Sequence, residues 1–68
     1  MKSINGKRFA RVLEKNGWDL KRIKGSHHIY TKEGSTVRIS VPIHGNKPLK
    51  TGLLHYLMKV SNIAESEL

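Results

Sequence analysis

The stretch WDLKRIKGSHHIYTKEGSTVRISV, residues 18–41, decides the fold. It holds three short runs rich in β-favouring residues, separated by two turns that each contain a glycine. In the first run, Trp18 and Leu20 alternate with Asp19 and Lys21. The alternation weakens at Arg22 and Ile23, which predicts a bulge or the end of a strand spanning residues 18–23. Lys24-Gly25-Ser26 reads as a turn, and residues 27–31 as the second strand. Lys32-Glu33-Gly34-Ser35 is a hairpin connection whose glycine can take a positive φ. Residues 36–41 form the third strand, with Val37, Ile39 and Val41 on one face and Arg38 and Ser40 on the other. Pro42 has no N–H to give to a ladder and ends it.

On either side of this stretch the hydrophobic period changes from two to that of a helix. Phe9, Val12 and Leu13 follow i, i+3, i+4 spacing, which predicts a helix over residues 6–16 with one buried stripe. Asn5 is its N-cap, and Ile4 with Phe9 forms a hydrophobic staple around the cap. Lys7, Arg8, Arg11 and Lys15 fall mostly outside the stripe. Asn16-Gly17 is the stop signal. Beyond Pro42, residues 43–50 read as a loop containing His44, Gly45, Asn46 and Lys47. A second helix is expected over residues 52–60, capped by Thr51, with Leu54, Leu57 and Met58 buried and Leu53 adding to them. Ile63 packs as the chain leaves, and residues 64–68 could make a short final turn.

Strands joined by short turns form an antiparallel meander. Each helix has one apolar side, so both pack on the same face of the sheet. The expected architecture is an α+β two-layer α-β-β-β-α sandwich with the other sheet face open.

Composition bounds what such a domain can do. The chain has 68 residues, enough for one domain, here residues 1–68. It has no cysteine, so disulfides and thiolate metal sites are excluded. No apolar run approaches the roughly 20 residues that span a bilayer. Met1-Lys2-Ser3-Ile4-Asn5-Gly6 lacks the apolar stretch of a signal peptide. A protein of the cytoplasm is expected. Thirteen Lys and Arg face five Asp and Glu, a formal net charge of +8. These basic residues are spread along the chain and do not form the block of a disordered arm. A folded domain this basic points to a polyanion, and nucleic acid is the commonest one. The less favoured reading is a merely soluble basic protein, or one whose charge is masked by an acidic partner.

Four histidines could carry chemistry: His27, His28, His44 and His55. Cleaving RNA requires a proton to leave the ribose 2′-hydroxyl and another to reach the departing 5′-oxygen, and imidazole can do both near neutral pH. Charge that builds on the phosphate needs cationic neighbours. Gly25-Ser26-His27-His28 enters a strand just after Arg22 and Lys24. Read without further context, these are a pair of surface histidines beside a turn. Adjacent strand residues point to opposite faces, which suits His27 and His28 poorly for chelating one ion. No cofactor and no metal site is expected. His44 lies in a loop with Lys47 and Lys50, which could hold phosphate or simply aid solubility. His55 and Tyr56 read as surface or partner contacts. Trp18 reads as core, and Tyr30 as a residue for stacking on a base or for ordinary packing.

These segments together resemble the HicA (YcfA-like) toxin family. The likeness is carried by Asn5-Gly6-Lys7, by Leu13-Glu14-Lys15-Asn16-Gly17-Trp18 and by Lys24-Gly25-Ser26-His27-His28-Ile29-Tyr30. It continues in Val41-Pro42-Ile43-His44-Gly45-Asn46-Lys47 and in Leu49-Lys50-Thr51-Gly52. The resemblance implies a fold like that of double-stranded-RNA-binding domains, ribosome-independent cleavage of mRNA, and neutralisation by a HicB-like antitoxin. It assigns the catalytic role to His27 and makes His44 and Lys47 contacts or supports for RNA. Arg22, Lys24, Gly25, Ser26, His28, Tyr30 and Lys50 complete the expected RNA-binding or supporting set. A non-catalytic RNA-binding module of the same fold is the alternative. The family often carries Gly-Thr-Leu-Arg at the start of the last helix, where this chain has Gly52-Leu53-Leu54-His55. Alternation leaves one choice open. If Ile29 faces the core, His28 and Tyr30 share the open face and His27 sides with Ile29. The family pattern favours His27 and simple alternation favours His28; His27 is the expected catalytic residue.

Overall fold

A computed structural model of the chain describes residues 3–68. The reading of Met1 and Lys2 as lacking a signal peptide lies outside the described residues. The elements run α1 (Gly6–Lys15), β1 (Asp19–Lys24), β2 (His27–Thr31), β3 (Arg38–Pro42), α2 (Thr51–Ser61) and a terminal 3₁₀ turn, η1 (Glu65–Glu67). The sheet is antiparallel in the order β1-β2-β3. This is the expected α+β meander flanked by two helices, and it is compatible with the double-stranded-RNA-binding arrangement that the resemblance implies.

Local chemistry accounts for most boundaries. Asn5 sits in extended backbone and its side-chain oxygen accepts the Arg8 N–H at 2.8 Å, the expected cap. Asn16 closes α1, and Gly17 at φ 89° turns the chain into β1. Trp18 falls just before β1 and is buried. The β1–β2 connection is a two-residue turn, with Lys24 paired to His27. Gly25, at φ 61°, occupies its first central position, as a type II′ hairpin requires.

Three boundaries differ from expectation. The register irregularity in β1 lies between Leu20 and Arg22, one step earlier than predicted. The third strand starts at Arg38, because the β2–β3 connection takes in residues 32–37. Val37 is therefore outside the strand and exposed. Thr51 is the first residue of α2, not its cap. Lys50 holds the cap position without a side-chain bond.

One cluster makes the core. Phe9 and Leu13 of α1 and Leu54 and Leu57 of α2 meet Tyr30, Ile39 and Val41 of the sheet, with Ile4, Trp18 and Ile63 around them. Tyr30 pairs with Ile39 and His28 with Val41, so these four share the helix-facing side. Both helices thus cover one face. The opposite face of β2 and β3 carries His27, Ile29, Thr31, Arg38, Ser40 and Pro42. The open choice between Ile29 and Tyr30 resolves toward Tyr30 as the core residue, at 2 % exposure.

Candidate functional site

The open face is built by the register. His27 is exposed at the start of β2, between Lys24 of β1 and Pro42 of β3. Its Nδ1 lies 3.3 Å from the Ser40 hydroxyl, a diagonal neighbour on β3. Among the described residues, the ring's other nitrogen, Nε2, makes no hydrogen bond, and the side chain is exposed.

The bulge in β1 decides which cations join it. In a regular strand Leu20, Arg22 and Lys24 would all point to one face. Leu20 pairs with Tyr30 on the helix side. The extra residue, Lys21, reverses the phase, so Arg22 pairs with Ile29 and Lys24 with His27. Arg22 and Lys24 are therefore on the same face as the His27 imidazole. The same shift leaves Ile23 on the helix side of an edge strand, where it is 56 % exposed.

A second group arrives from the loop after β3. The Ile43 N–H donates to the Ser26 carbonyl at 2.8 Å, extending the β2–β3 contact past Pro42. His44 Nε2 then lies 3.4 Å from Ser26 Oγ. The Lys47 N–H closes a tight turn on the His44 carbonyl at 3.0 Å. The Leu49 N–H returns the loop to the Ile4 carbonyl at 2.7 Å. His44, Lys47 and Lys50 line a cavity of about 220 Å³ with Pro42 and Leu53. Ser26 thus joins two groups, Arg22, Lys24 and His27 on the sheet and His44, Lys47 and Lys50 in the loop.

Gly6 sets where this loop sits. A Cβ there would overlap the Pro42 carbonyl oxygen and come within 3.1 Å of Ile43 Cγ1. Only a glycine lets the start of α1 approach the strand end that carries the site. Gly25, by contrast, has open space around its Cα and serves the turn.

Two expected contact residues are elsewhere. Tyr30 is buried in the core, so its ring is not available to stack on a base. Of the two readings of Tyr30, stacking on a base and ordinary packing, its burial agrees with packing. Burial, then the Glu14 carboxylate and the hydrogen bond to it, raise the Tyr30 pKa. His28 is half-buried on the helix side, away from His27. Sequence reading also missed a participant. Ser40 was placed on the open face by alternation, but its reach to His27 depends on cross-strand register, which alternation does not supply.

Among the described residues, no three His, Asp or Glu side chains gather in a way that could hold a metal ion. No helix among them is long and apolar enough to cross a membrane. No curated protein matches the chain. The family model described as the HicA toxin of bacterial toxin–antitoxin systems matches residues 6–63, a span that takes in both helices, the whole sheet and the His44 loop. The chain belongs to the HicA toxin family.

Proposed function

We propose that this HicA-family toxin is a ribosome-independent mRNA interferase, an endoribonuclease that uses histidine acid–base chemistry and needs no metal. The observation that carries this reading is the exposed His27 imidazole on a cationic face, oriented through Nδ1 by Ser40. In the reaction, His27 Nε2 takes the proton of a ribose 2′-hydroxyl. The 2′-oxygen attacks the adjacent phosphorus as the bond to the 5′-oxygen breaks. His44, tied to the same corner through Ser26, is the group placed to give a proton to the departing oxygen. Arg22 and Lys24, with Lys47 and Lys50 from the loop, offset charge on the phosphate oxygens. The products are a 2′,3′-cyclic phosphate end and a 5′-hydroxyl end.

A HicB-like antitoxin in the same cytoplasm would neutralise the toxin, and the net charge of +8 suits an acidic protein in that role. The test is cleavage of RNA by purified protein in excess chelator. Wild type should cut. His27→Ala should lose about 10²–10⁴-fold in rate while keeping its fold by circular dichroism. Salt-sensitive RNA binding without cleavage by the wild type would instead make the chain a binding module of the same fold.

A further inference from the structure

A basic concavity outside the His27 corner runs along α1. Lys7, Arg11 and Lys15 recur every fourth residue and so form one ridge, with a rise of about 6 Å between neighbours. They border a groove of about 440 Å³ whose wall also includes Asn5, Val12, Asn46 and Glu67. Arg8 is there too, but its guanidinium is engaged, donating to the Leu68 carbonyl at 3.1 and 2.8 Å. The cations left to face a ligand are the three of the ridge, and all are exposed.

Position makes this groove more than a solvated helix face. Asn46, on its rim, belongs to the turn that Lys47 N–H closes on the His44 carbonyl. His44 in turn meets Ser26 beside His27. Two residues separate at most about 7 Å of chain, so the rim of the groove and the His44 imidazole belong to one short turn. A strand leaving the His27 corner past His44 would meet Asn46 and then the ridge.

We propose that the α1 groove is a second RNA-contact surface, a track of Lys7, Arg11 and Lys15 for the phosphodiester backbone flanking the scissile bond. The inference rests on the nuclease reading for the identity of the ligand. The lining favours a nucleic acid over an acidic protein. Val12 is the one large apolar side chain in it, whereas protein interfaces centre on an apolar core from which charge is depleted. Contacts of this kind position the strand and carry no base preference.

The test compares Lys7→Gln/Arg11→Gln/Lys15→Gln with a control that removes equal charge elsewhere, Lys21→Gln/Lys32→Gln/Lys59→Gln. For binding, both are made in the His27→Ala background and titrated with a long unstructured RNA over a range of salt. The α1 variant should bind about tenfold or more weakly and flatten the slope of log K against log salt by about 2. Without the His27 change, it should cut a trinucleotide at the wild-type rate and long RNA more slowly. A slope change no greater than the control's overturns the track. Retained RNA affinity with lost binding to polyglutamate also overturns it and assigns the groove to an acidic polypeptide. RNA binding without any cleavage by the wild type removes the nuclease reading alone, and the slope comparison still decides the groove.

Discussion

The His27 imidazole and the Ser40 hydroxyl meet diagonally across β2 and β3, with 3.3 Å between Nδ1 and Oγ. For Nε2 to be free to take a proton, Nδ1 must carry one, and the Ser40 hydroxyl can accept from that Nδ1–H both before and after the transfer. Ser40→Ala should therefore leave binding intact and slow the chemical step. One neutral hydrogen bond is worth about 1 kcal/mol, or roughly fivefold in rate. Single-turnover cleavage would measure it, with kcat reduced and KM unchanged. A rate equal to wild type would remove Ser40 from the orientation of His27.

Gly6 and Pro42 make the other contact on which the site depends. Gly6→Ala puts a methyl into the Pro42 carbonyl, and neither backbone can yield without moving α1 or the strand end beneath His44. Overpacking of this kind costs about 1–3 kcal/mol. In a domain of this size each kcal/mol lowers Tm by about 4–8 °C. Cleavage should fall at temperatures where the variant is still folded, because the Ile43–Ser26 link shifts with Pro42. A Tm within a degree or so of wild type would mean that the close approach is not required.

Much of this arrangement was legible in the sequence, and the limits have physical causes. Helical periods and caps are local, so α1 was read almost to the residue from Asn5, Phe9, Val12, Leu13 and Gly17. The face assignment in β2 was harder, because Ile29 and Tyr30 both carry large apolar bodies. Tyr30 takes the core, paired with the buried Ile39, and no pattern in β2 announces which of the two does so. The phase of Arg22 and Lys24 depends on a single bulge. Without it, Arg22 would fall opposite His28, and both cations would lie on the other face. Ser40 was missed for the same reason that the start of β3 was misplaced. Only the length of the residues 32–37 connection sets which β3 residue comes beside His27.

Asn5 offers a test of the helix apart from any chemistry. Its side chain holds the Arg8 N–H, one of the donors left over at a helix start. Asn5→Ala should cost about 1 kcal/mol, and Asn5→Asp should restore most of it. Thermal melting without RNA isolates this effect from the groove that Asn5 also borders. Equal melting temperatures for Asn5→Ala and wild type would show that the cap adds nothing to stability.

Tyr30 couples stability to alkaline pH. Burial, the Glu14 charge and the bond to that carboxylate all favour the protonated phenol, so its pKa in the fold lies above the ordinary 10.0. The folded state then holds this proton more tightly than the unfolded chain does. The resulting stability is fully present below about pH 10 and is lost as pH rises through the folded value. Tyr30→Phe abolishes that titration. At neutral pH the variant should lose about 1 kcal/mol or less, since Glu14 is exposed and water can replace the phenol. Above pH 10 the gap should narrow, because only the wild type must ionise a phenol set against a carboxylate. Urea unfolding of both proteins from neutral pH to pH 11 measures the difference, and the exposed Tyr56 and the lysines cancel in the comparison. Parallel stability curves across that range would show that the Tyr30 hydroxyl titrates alike in the folded and unfolded chain.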